Sequence, residues 1–202
     1  YLTSEGYYEE EFLKMYTDQF IKKLFKIAYA YKFRFPSFMS ASKFYESYAM
    51  KSRDSKEILE KYEDRIAIIS LYLAQGDEEL AEKAVRNIME AYQPATPTAL
   101  NSGKKARGEL VSCFKLSIDD TMNSIAENIG YCLELSRLGG GVGVLLTDLR
   151  PLGDPIKGVL NRASGVMPVA KLLENSFSYS NQLGQRQGSG VVYLNIFHGD
   201  IE

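Results

Sequence analysis

Cys113 stands at the end of Gln93–Phe114, QPATPTALNSGKKARGELVSCF. A breaker-rich loop with Pro94, Pro97, Asn101 and Gly103 passes through a basic cluster there and enters a short apolar segment, Leu110 to Ile118. A thiol at the mouth of a strand, beside Ser112 and fed by a polar loop, could carry thiol chemistry, which needs a second cysteine within bonding reach and a way to be reduced again. The competing reading is a cysteine that packs as a small hydrophobe. Cys132, the other cysteine, falls on the inner stripe of a helix and reads as structural. A second constellation is Asp120, Thr121 and Met122 with Arg150 and Lys157. It is either a helix cap with two solvated cations, or a helix start and a pair of cations placed to meet phosphate charge. A third is the loop QLGQRQGSG, in which Gln182, Gln185, Arg186 and Gln187 supply long amide and guanidinium groups between mobile glycines, suited to reading base edges. His198, the single histidine, has no sequence partner with which to form a metal site or triad and reads as structural.

The glycine run LGGGVGV at Leu138 to Val144 is not a dinucleotide-binding fingerprint. That motif follows a strand and opens a helix, whereas this run follows a helix and opens a strand, and no Walker A motif occurs in the chain. It reads instead as backbone that a ligand can approach closely at the start of a strand, with Gly141 at its centre.

The elements that must position these groups fall into two parts. Residues 1–92 carry helical spacing: Phe12, Met15, Tyr16, Phe20, Leu24 and Ile27 on one stripe between Tyr7 and Tyr31, then a break at Pro36. A short aromatic segment follows from Ala41 to Met50, and a second stripe (Ile58, Leu59, Tyr62, Ile66, Ile69, Leu73) predicts a helix over Lys56 to Gln75. Gly76 ends it, and Asp77 caps a helix over Glu78 to Tyr92. The many aromatic residues here read as core with polar tyrosine tips. From residue 93 onward the pattern becomes strand (Leu110 to Ile118), helix (Met122 to Leu138), strand (Val142 to Thr147), Gly/Pro loop, helix (Val166 to Gln182) and strand (Val191 to Ile196). That alternation predicts an α/β domain with parallel strands. The expected architecture is an all-helical domain over 1–92 followed by the first strands and helices of an α/β barrel over 93–202, incomplete in this chain.

At 202 residues the chain can bury a sizeable core, and 45% hydrophobic with 25% charged residues is ordinary for a globular protein. A net charge of -2 gives no electrostatic reason to expect nucleic acid or a membrane surface as partner. Two cysteines make no disulfide framework, so a cytoplasmic location is expected. No apolar run is long enough to cross a bilayer.

Read as literal sequence, ATPTALNSGKKARGELVSCF, LGGGVGV, LRPLGDPIKG at Leu149 to Gly158 and SYSNQLGQRQGSGVVYLNIFH at Ser178 to His198 resemble, in the same order, blocks of the large (catalytic) subunit of class I ribonucleotide reductase. The spelling is most similar to the class Ib branch. The resemblance implies a ribonucleoside-diphosphate reductase, an oxidoreductase of DNA-precursor synthesis that works by thiyl-radical chemistry with a redox-active cysteine pair. It implies that Cys113 is one of that pair, and that Thr96, Ser112, Gly141 and Arg186 bind substrate. It further implies that Asp120, Thr121, Met122, Arg150 and Lys157 bind an ATP or deoxynucleoside triphosphate effector, and that the loop with Gln182, Gln185 and Gln187 passes the effector's identity to the substrate base. No cofactor is expected in this chain. The radical would come from a small (beta) subunit with a di-metal (manganese or iron) tyrosyl centre, and the thiols would be restored by a thioredoxin- or glutaredoxin-like reductant. A homodimer of large subunits is expected, without nucleic acid or membrane partners.

The radical cysteine, the second redox cysteine and the radical-relay tyrosines of the family find no match in this chain, and its ends look cut. It is therefore expected to be inactive alone and to need the remainder of the large subunit or a complementing polypeptide. The alternatives are a catalytically incomplete nucleotide-binding or split-subunit module, and a remnant whose motif residues merely pack.

Overall fold

Hydrogen-bonding side chains at the breaks in the apolar pattern set where the helices begin. The computed structural model describes residues 1–105, 110–182 and 186–202, with the side chains of 181–187 left aside. It divides into two units, Tyr1–Leu110 and Val111–Glu202. In the first, the stripe predicted from Tyr7 to Tyr31 is split into α1 (Glu10–Leu13) and α2 (Asp18–Ala30). The cause is Thr17, whose hydroxyl accepts from the Phe20 amide and starts a new helix. Ser37 does the same for α3 (Phe38–Ser47) just after Pro36, and Asp77 for α5 (Glu78–Glu90), accepting from the Leu80 amide.

The helix predicted over Lys56 to Gln75 is shorter than its stripe. α4 runs Tyr62–Ala74, and Ile58 lies in an extended bridge with Lys51, half exposed. The extended approach is held by Glu60, whose carboxylate accepts from the Met50 amide, and by the Leu59 amide on the Met50 carbonyl. A short α6 (Thr98–Asn101) follows. The sequence division at residue 92 differs from the structural one, because residues 98–105 pack with the helical unit. Lys104 bridges to Tyr8, and Arg65 of α4 donates to the Ser102 carbonyl. The core of this unit gathers Phe12, Phe20, Leu24, Ile66, Ile69 and Val85, among others.

In the second unit β1 (Cys113–Ser117), β2 (Gly141–Leu145) and β5 (Gly190–Tyr193) form a parallel sheet in the order β1-β2-β5. This is an open sheet, the start of a barrel rather than a closed one. α7 (Met122–Arg137) crosses between the first two strands and α8 (Met167–Tyr179) leads to the third. The two-residue strands β3 (Asn181–Gln182) and β4 (Arg186–Gln187) form a small antiparallel pair ahead of β5. Strand alternation sorts the side chains: Val142 and Val144 are buried among Ile118, Cys132, Leu173 and Phe177, with Phe114 and Leu116 packed against them. Cys113, Gly141 and Leu145 are exposed at the intervening positions.

Candidate functional site

Cys113 opens β1 in register with Gly141, which opens β2. The Gly141 amide donates to the Ser112 carbonyl at 2.8 Å, and the Ser112 hydroxyl lies 3.8 Å from the Cys113 sulfur. Because Phe114 and Val142 turn into the core, Cys113 and Gly141 lie on the face away from α7 and α8. A Cβ at Gly141 would make only an ordinary contact, 3.6 Å from the Ser112 carbonyl. Packing does not demand glycine there, so its bare backbone leaves room beside the thiol. Its neighbours differ: Gly139 adopts φ +100°, and a Cβ at Gly140 would lie 2.3 Å from the Phe114 ring. Cys132 is buried on the helix side, where burial pushes its thiol up to about 11. It stays protonated and unreactive, and the two cysteines are free.

Thr96 belongs to the helical unit. It precedes a cis peptide bond to Pro97 and lines an open aromatic groove of about 620 Å³ with Phe33, Phe35, Phe44, Tyr62 and Leu100.

The predicted effector residues divide into those the fold brings together and those it leaves outward. Asp120 and Arg150 form an ion pair, each about one-third exposed, and Arg150 also donates to the Pro155 carbonyl at 2.9 Å. Thr121 is the N-cap of α7: its hydroxyl accepts from the Ser124 amide, while the Ser124 hydroxyl accepts from the Asp119 amide. Asp120 and Thr121 thus frame the amide-bearing start of a helix, the end that favours anions. Met122, which by its spacing fits an apolar stripe with Ile125, Ile129 and Cys132, opens α7 instead at 78% exposure. Lys157 sits at φ +51° in the turn closed by Ile156 and Val159, on the loop whose root Arg150 grips.

Of the predicted specificity loop, Gln185 lies outside the described residues, as do the side chains of Gln182, Arg186 and Gln187. Their backbone pairs as Gln182↔Arg186 and Asn181↔Gln187. Beyond the pair, two positions have no room for a side chain: a Cβ at Gly188 would lie 2.3 Å from the Phe177 carbonyl, and one at Gly190 would lie 2.0 Å from the Phe177 ring.

His198 has partners that its sequence context hides. Its Nδ1 accepts from the Asp200 amide at 3.0 Å, so Nε2 carries the hydrogen and donates to the Leu149 carbonyl at 2.7 Å. Asp200, which sequence reasoning passed over, accepts from the Leu152 and Val166 amides, and these bonds hold its carboxyl below the usual carboxylate range. Sequence reasoning also missed the buried set Tyr8, Glu60, Arg65 and Lys104, drawn from three separate stretches of the chain. Among the described residues no group of three or more His, Cys, Asp or Glu side chains could hold a metal ion, and no helix is long and apolar enough to cross a membrane.

Three consecutive family models match the chain: ribonucleotide reductase N-terminal over residues 1–33, ribonucleotide reductase all-alpha domain over 34–107, and ribonucleotide reductase barrel domain over 111–202. It is 57% identical over 203 residues to the ribonucleoside-diphosphate reductase subunit alpha of Bacillus subtilis (strain 168), covering all of this chain and 29% of that one. It is 49% identical over 202 residues to the subunit alpha of Mycoplasma pneumoniae, covering all of this chain and 28% of that one. Among solved structures, the class Id ribonucleotide reductase alpha subunit of Actinobacillus ureae superimposes with a TM-score of 0.67 at 25% identity, over 82% of this chain and 29% of that chain. The chain thus spans less than a third of the length of these relatives. Helical unit, parallel strands and matched models agree: the chain belongs to the large (alpha) subunit family of ribonucleotide reductase and corresponds to its N-terminal part.

Proposed function

We propose that this chain supplies the N-terminal part of a ribonucleoside-diphosphate reductase large subunit, in which Cys113 is one thiol of the pair that reduces the ribose. The supporting observation is the register of Cys113 with Gly141, which puts an exposed thiol beside open backbone on the face away from the helices. In this reading two thiols give two electrons and two protons to the substrate, the 2'-hydroxyl leaves as water, and the thiols become a disulfide. Cys132 is not the second thiol, since it is buried on the opposite side of the sheet. The second thiol comes from a segment outside these residues, the initiating radical from a metal-bearing small subunit, and the restoring electrons from a dithiol protein.

Ser112, Gly141, Thr96 and Arg186 bind the substrate, and Gln182, Gln185 and Gln187 carry base discrimination. The start of α7 with Asp120, Thr121 and Met122 receives the sugar and base of a deoxynucleoside triphosphate or ATP effector, whose phosphates meet Arg150 and Lys157. The spelling of the chain favours the class Ib branch.

The test is Cys113→Ser in a large subunit carrying this segment, assembled with its small subunit. Dithiol-driven reduction is expected to vanish while effector binding, followed by calorimetric titration, stays at the wild-type value. Full turnover in the variant would remove Cys113 from the chemistry.

A further inference from the structure

The segment after β5 is tied to the Gly/Pro loop by a set of bonds that the functional reading leaves unused. One carboxylate, Asp200, accepts from the Leu152 amide at 2.8 Å through Oδ1 and from the Val166 amide at 2.9 Å through Oδ2. It thereby closes the loop between those residues at both ends. Two positions earlier, His198 donates from Nε2 to the Leu149 carbonyl, immediately before Arg150. Two glycines let the chain approach closely at the same place. A Cβ at Gly165 would lie 2.4 Å from Asp200 Oδ2, and one at Gly199 would lie 2.8 Å from the Pro151 side chain.

Inside the clamp the loop carries its own ladder. Gly153 donates to Ala163, Asn161 to Gly153, and Ala163 to Asp154, and the Ile156–Val159 turn presents Lys157 at the tip. The segment that holds the clamp is itself anchored to the sheet. The Asn195 amide donates to the Thr147 hydroxyl, the Leu146 amide donates to the Tyr193 carbonyl, and the Asn195 side chain accepts from the Phe197 amide. The position of the Arg150–Lys157 loop is therefore set from beyond β5, by a carboxylate whose two oxygens are both spent on loop backbone.

We propose that Asp200 and His198 are positioning residues that hold the Arg150–Lys157 loop in the shape that receives the phosphates of the nucleotide effector. This rests on the effector-site reading above. A rigid loop presents its cation without losing conformational freedom on binding, so loosening it weakens the site without removing any contacting group.

The experiment uses the large subunit carrying this segment, assembled with its small subunit, and compares Asp200→Asn, His198→Ala and Arg150→Ala. Calorimetry is run with ATP and each of the four deoxynucleoside triphosphates in turn, and hydrogen exchange is followed over residues 152–166 and over α7. Asp200→Asn keeps the shape but replaces one acceptor oxygen with a donor facing an amide. It is expected to speed exchange in 152–166 with α7 unchanged, and to raise the effector Kd about tenfold, the scale of one lost charge-assisted bond. If Asp200→Asn does not fold, His198→Ala, which cuts the bond to Leu149, is read in the same two ways, with about a threefold expected rise in Kd. Unchanged exchange over 152–166 would overturn the clamp. Faster exchange with a wild-type Kd, while Arg150→Ala binds weakly, would overturn the positioning role and leave the effector site standing. If Arg150→Ala also binds at the wild-type level, the effector-site reading falls, and the positioning role falls with it.

Discussion

Lys104 is 3% exposed, its ammonium donates to the Tyr48 carbonyl, and its charged neighbours are a second cation, Arg65, and one carboxylate, Glu60. Burial, and then the Arg65 charge, lower its pKa from 10.5 to about 8, with Glu60 opposing. Below pH 8 the group is charged in the folded and unfolded chain alike, and the whole penalty of burying it is present. Between pH 8 and 10.5 the folded chain has lost a proton that the unfolded chain still holds, so this group's contribution to stability rises with pH. Denaturant unfolding at pH 7 and pH 10 should show wild type gaining on Lys104→Met by up to about 3 kcal/mol. An equal difference at both pH values would mean that the amine is solvated. Glu60 links the group: it meets Arg65 at 3.2 Å and accepts from the Tyr8 hydroxyl and the Met50 amide. Nothing in the local sequence marks these residues. Lys104 reads as part of a basic cluster in a polar loop, and its burial comes with the bridge to Tyr8 and the bond to the Tyr48 carbonyl.

At the scale of elements, the glycines around the sheet differ in what packing demands of them. Gly190 begins β5 where a Cβ would enter the ring of Phe177, a buried residue of α8. Gly190→Ala is expected to cost about 1–3 kcal/mol of stability through overpacking. If the Gln/Arg loop carries base discrimination as proposed, it should also blur the choice among substrates, because the displaced strand follows directly on that loop. Gly141→Ala has an ordinary contact to make and should leave stability within about 0.5 kcal/mol, while lowering turnover by filling the space beside Cys113. Thermal unfolding and a mixed-substrate assay on both variants check this pair. Equal stability losses would mean that Gly141, like Gly190, is a packing requirement. Both glycines stand in motifs evident from sequence, but which one packing demands depends on where Phe177 and Phe114 fall across the sheet.

At the scale of the whole molecule, the described residues form two apolar cores without a shared residue, one around Leu24, Ile66 and Val85 and one around Val144, Leu173 and Phe177. Leu24 and Leu173 are each fully buried. Leu24→Ala and Leu173→Ala are each expected to cost about 2–5 kcal/mol. The change in hydrogen exchange should be confined to residues 1–110 for the first and 111–202 for the second, the two units of the fold. Because the substitutions have no partners in common, the double variant should equal the sum to within about 0.5 kcal/mol. Exchange that rises across both units in either single variant would show one cooperative core instead of two.

Sequence alone determined the family and the order of elements, because helix stripes, strand alternation and cap residues are local and leave their period in the chain. The Asp77 cap, the Thr121 cap and the β1–α7–β2 alternation are of this kind. Local pattern misled where a distant partner held the backbone. Ile58 fits the helical stripe, yet Glu60 keeps its segment extended; residues 98–105 read as the start of the second domain, yet they pack with the helical unit. Only the tertiary structure decided which side of the sheet Cys113 faces, that Asp120 pairs with Arg150, and that Asp200 and His198 grip the loop between β2 and α8. Each of these joins residues that are adjacent only after the strands have paired in register, and no spacing along the chain encodes that adjacency.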